Sequence, residues 1–147
     1  MVKRIAWLLA IAGSIPFAMA TFALFLGDSH IRVPAITALV TVSAILLSYL
    51  GGVEGGLALR EESSNEGARA IAIAVSIIPS LAAWGVLWLP SPQWQVGASL
   101  ALFVAVWAND LWLARQGLIP SWFVDLRTGL SALVVLILGV ALWKLSA

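Results

Sequence analysis

Cysteine is absent from this chain, and histidine occurs once, at His30. The first absence excludes disulfides, cysteine-ligated metals and thiol catalysis; the second excludes a histidine-rich metal site within one chain. Charge is scarce as well: 10% of the 147 residues are Asp, Glu, Lys or Arg, where a soluble domain carries about 25%. The net charge of +1 leaves no electrostatic footprint for nucleic acid. No glycine loop with its lysine follows a strand to cradle phosphate, no Gly-x-Ser-x-Gly elbow occurs, and no His-Glu-x-x-His pair. No metal and no cofactor is expected, and the chain does not read as an enzyme.

Apolar residues fill the space that charge leaves. They make up 62% of the sequence, and the mean hydropathy is +1.04. Such a chain has the lipid bilayer as its solvent. Five apolar segments, at 5–26, 35–59, 69–89, 96–114 and 126–145, each suffice to cross hydrocarbon that needs about 20 helical residues. Their short connections predict antiparallel neighbours, so the expected fold is all-α, a single five-helix up-and-down bundle. Lys3-Arg4 and the Ala18-Met19-Ala20 box have the look of a secretory signal, but the apolar run continues through the box to Leu26, so a retained first span is expected.

Lys3, Arg4, Arg60, Arg69, Arg115 and Arg127 fall on one side of these spans, and only Arg32 and Lys144 on the other. The positive-inside rule places the N-terminus inside and the C-terminus outside. Trp7, Trp112 and Trp122 lie near the inner boundary, with Trp88, Trp94 and Trp143 near the outer one, as an aromatic belt requires. Pro16 and Pro79 lie inside spans, where each removes a backbone hydrogen bond and shapes the helix.

Small residues crowd the second span. Ala44, Ser48, Gly52 and Gly56 recur at four-residue spacing, and Gly51 and Gly55 widen the stripe. A stripe of this kind lets another helix approach closely in lipid, and burial against a helix of the same chain is expected, with a dimer interface as the other use. The glycines sit inside an apolar helix, so they do not form a phosphate loop.

The polar residues gather at one depth. Glu54 precedes Arg60 by six residues, Asp110 and its neighbour Asn109 precede Arg115 by five or six, and Asp125 and Arg127 open the last span. Charges inside a membrane are costly and need a reason. Three readings stand: an inward-facing polar cleft of Glu54, Asn109, Asp110, Asp125 and Arg127; a structural ion-pair network; or a Glu54 that snorkels to the interface. At the start of a helix Asp125 also complements the dipole. Arg127, with its fixed fork of donors, is expected to contact Asp110 or Glu54, Asp110 first.

Pro16-Phe17, Leu50-Gly51-Gly52-Val53 with Gly56-Leu57-Ala58-Leu59, Ile78-Pro79-Ser80-Leu81 with Trp84, Asp110, and Pro120-x-Trp122-Phe123 before Leu126-Arg127 run in order along the chain. Together they resemble a family of small five-span membrane proteins of bacteria and mitochondria, labelled as a domain of unknown function, which includes transmembrane protein sixty-nine of animals. The chain departs from that pattern at Glu54-Gly55, where the family has a basic residue or histidine followed by an aromatic. The resemblance implies a bacterial inner-membrane location for a bacterial source and implies no activity. The residues themselves favour an accessory or stabilising subunit, or assembly helper, of a membrane complex, with other subunits or a second copy as partner. The alternative is a small oligomeric channel or proton-coupled carrier built on Glu54, Asp110 and Arg127. A lipid-directed enzyme with Asp110 or Glu54 as base lacks a nucleophile or metal constellation.

Overall fold

The computed structural model describes residues 2–26, 28–60 and 65–147. Those residues form α1 (Val2–Phe25), α2 (Ser29–Ala58), α3 (Glu66–Val75), α4 (Ile78–Val86), α5 (Pro92–Arg115) and α6 (Ser121–Ser146), with no strand among them. Taken with α3 and α4 as one segment, they give five helices long and apolar enough to cross a membrane. This is the architecture of a multi-pass membrane protein.

Most helices start earlier than the apolar runs, because the caps lie in the polar flanks. Asp28 Oδ1 accepts from the His30 amide at 3.0 Å, and Ser91 Oγ accepts from Trp94 N–H at 3.4 Å, ahead of Pro92. Each satisfies an amide that the first turn leaves without a helical partner. Extended Pro120 precedes α6, so that helix begins at Ser121 and not near 126. After α5 the chain reverses at Gly117, whose φ of 71° suits a residue without Cβ. Leu118 N–H there donates to Leu113 O at 3.0 Å and Gly117 N–H to Ala114 O at 3.0 Å, the paired bonds of a Schellman end.

Proline acts unequally. Pro16 and Pro34 sit inside α1 and α2, which stay continuous. At Pro79 the third span breaks into α3 and α4, with Ser76 and Ile77 between them, since Pro79 has no N–H to bond the turn before it.

Consecutive spans pack side by side, α1 also lies against α6, and α2 reaches across to α5. The space they enclose is mostly apolar. Phe17 and Phe103 meet edge to face at 6.0 Å, surrounded by fully buried Leu39, Leu47, Val96, Val134 and Leu138. Buried Ser43 and Ser99 donate to Leu39 O and Gln95 O of their own helices, so their hydroxyls make no path between helices. Leu8, Met19, Val33, Leu136 and Trp88 stand exposed on the outside, an inversion that only a hydrocarbon solvent favours.

Candidate functional site

At the end of the bundle where α2 and α5 finish and α6 begins, three charged side chains meet inside. Glu54 lies four residues before the end of α2, Asp110 five before the end of α5, and Arg127 six after the start of α6, so all are about 6–9 Å from their helix ends at 1.5 Å per residue. Their exposures are 2%, 0% and 2%, which removes the snorkelling reading of Glu54.

Arg127 Nε donates to Asp110 Oδ2 at 2.8 Å, and Nη2 lies 2.8 Å from the same oxygen as an ion pair. Nη2 also donates to Glu54 Oε1 at 3.2 Å. Asn109 Nδ2 donates to Glu54 Oε2 at 2.6 Å, so Glu54 is held on both oxygens. One edge of the guanidinium thus ties α6 to α5 and α2 at once. A lysine ammonium has no such edge. Two buried atoms of the cluster, Asp110 Oδ1 and Arg127 Nη1, have no hydrogen-bond partner among the described residues. The formal count is two carboxyls to one guanidinium.

Asp125 does not join them. It is exposed, because α6 already runs from Ser121 and two residues of helix turn the chain about 200°. For the same reason it stands in the second turn and not at the helix start, so the dipole reading of Asp125 is also corrected.

The glycine stripe divides in a way the spacing does not foretell. Gly51 and Gly55 are buried against the break in the third span. A Cβ on Gly51 would overlap the Ser76 carbonyl oxygen, and one on Gly55 would stand 2.7 Å from Ser76 Oγ. Gly52 and Gly56 are exposed, with nothing within 4 Å of where a Cβ would be, and Ala44 and Ser48 are half-buried. The expectation that the Ala44-Ser48-Gly52-Gly56 row packs inside the chain is therefore corrected at Gly52 and Gly56, while Ala44 packs against the core. The packed pair lies one residue earlier, about 100° around the helix.

Two ties near the cluster escaped the sequence reading. Trp107 Nε1 donates to Thr128 Oγ1 at 3.0 Å, fastening α5 to α6. Arg69 donates from Nε to Ala58 O at 3.1 Å and from Nη2 to Leu59 O at 3.3 Å, capping the carbonyl end of α2 as a cation there should. The signal for Arg69 was its place just past the short polar stretch between the second and third apolar runs. A cavity of about 260 Å³ between α2, the broken third span and α5 reaches Glu54 and Asn109, with Val75, Pro79 and Val106 on its walls.

The family described as protein of unknown function (DUF3429) matches residues 2–143. The chain belongs to that family. The DUF3429 match runs from the first turn of α1 into the last turns of α6, so Glu54, Asn109, Asp110 and Arg127 all lie within what it covers. No curated protein and no solved structure matches the chain.

Proposed function

We propose that this chain is a non-enzymatic accessory protein of a membrane complex, one that stabilises or helps to assemble its partners. The observation that carries this reading is the exposed pair Gly52 and Gly56 on α2, beside which there is open space. In lipid such a pair is where a helix of another chain, or of a second copy, gains close backbone contact. The polar centre supports the same reading, since Arg127 pairs with both carboxyls and an apolar core lies beyond them. The family resemblance supports a bacterial inner-membrane location and kinship with the mitochondrial protein named above, and the basic residues support a cytoplasmic N-terminus.

The test is native gel migration from membranes opened with a mild detergent. The tagged chain should travel in an assembly larger than itself, and Gly52→Leu/Gly56→Leu should release it as a folded single bundle. Equal migration of both proteins at the size of one chain would overturn the proposal.

A second reading, a proton-coupled carrier, draws on the cavity at Glu54 and Asn109 and on the carboxyl in excess. It requires a flux that depends on Asp110.

A further inference from the structure

A groove of about 550 Å³ runs between α1, α2 and α6, within the range of small-molecule sites, about 300–1,000 Å³. Ala6, Ala10 and Gly13 of α1 hollow one wall. Along α2 it extends from Val42 to Val53, about 16 Å at helical rise. Leu9, Ile45 and Tyr49 line it and are also exposed on the outer surface, so it opens sideways to lipid.

Its one charged wall residue is Arg127. Nε and Nη2 occupy the edge of the guanidinium that faces α5 and Glu54. Nη1 stands on the opposite edge, buried and without a hydrogen-bond partner among the described residues. An orphaned buried donor is costly, and a ligand acceptor repays that cost. Phe123 stands on the same wall with its ring centre 5.9 Å from the guanidinium carbon. The charge balance selects the acceptor. With two carboxyls already on one guanidinium, a phosphate or carboxylate would add like charge in a medium of low dielectric. A neutral carbonyl adds none.

We propose that this groove binds a neutral amphiphile, its carbonyl oxygen accepting from Arg127 Nη1 and its apolar chain lying along Gly13 and Leu46 toward Val42. The carbonyl belongs either to a membrane quinone ring or to the ester of a glyceride. Native mass spectrometry of the full chain in detergent, titrated with a decyl-substituted benzoquinone, dioleoylglycerol and dioleoyl phosphatidic acid, tests this. At least one neutral ligand should bind saturably at one per chain, and which of the two does so identifies the source. Gly13→Leu fills the groove where a Cβ meets nothing within 4 Å, leaves the charge cluster intact, and should weaken binding at least tenfold. Arg127→Lys, where it folds, should do the same. Tighter binding of phosphatidic acid than of both neutral ligands, or a Gly13→Leu protein that binds as well as the parent, would overturn the proposal.

Discussion

With Nε and Nη2 on Asp110 and Nη2 also on Glu54, Arg127 is the cation two buried carboxyls share. Arg127→Ala leaves both without it, and breaking a buried pair from one side costs about 3–5 kcal/mol. Adding Asp110→Asn to that variant removes one stranded charge, so part of the loss should return, as melting in detergent would register. A double variant no more stable than the single one would mean that the two side chains are not energetic partners. Asp125→Asn, on the exposed side, should stay within about 0.5 kcal/mol of the parent. The meeting of Glu54, Asp110 and Arg127 was legible because depth can be counted from the basic residues that end each span. Asp125 was misplaced because its face depends on where α6 begins, and the hydropathy step near Leu126 lies a turn and more beyond Pro120, which sets that start.

Helix α2 carries two glycine rows a residue apart, and they should respond with opposite sign. Gly51→Ala pushes a methyl into the Ser76 carbonyl, an overpacking worth about 1–3 kcal/mol of destabilisation. Gly52→Ala meets open space and removes backbone freedom from the unfolded chain, so it should stabilise by up to about 1 kcal/mol. Chemical denaturation in mixed micelles measures both, and equal effects would show that the rows are not distinct. Small residues at four-residue spacing announce a close approach, but not which of two adjacent rows makes it. That choice is made by Pro79, 28 residues after Gly51, which opens the third span at Ser76 and Ile77 and brings the Ser76 carbonyl against Gly51. Pro16 gave the same sequence signal, yet α1 runs through it unbroken.

The whole molecule carries its basic residues unevenly. Arg127 is buried in the bundle and no longer counts as a flanking charge, which leaves Lys3, Arg4, Arg60, Arg69 and Arg115 against Arg32 and Lys144. We propose that the bias still orients the bundle, so reporters fused to the two termini should report an N-terminus inside and a C-terminus outside; the same side for both would exclude an odd number of crossings. Five spans were readable from hydropathy alone, because each apolar run is about the 20 helical residues that cross hydrocarbon. How the spans enclose an apolar core was not readable, because lipid-facing and core-facing residues are equally apolar in a membrane protein. That apolar core motivates the central proposal, that the charges clasp the bundle and conduct nothing. Flux in proteoliposomes tests it most directly, with a trapped pH dye and an imposed potassium potential. The clasp predicts proton entry equal to that of protein-free liposomes, for the parent chain and for Asp110→Asn alike. Entry above that background, lost on Asp110→Asn, would contradict it.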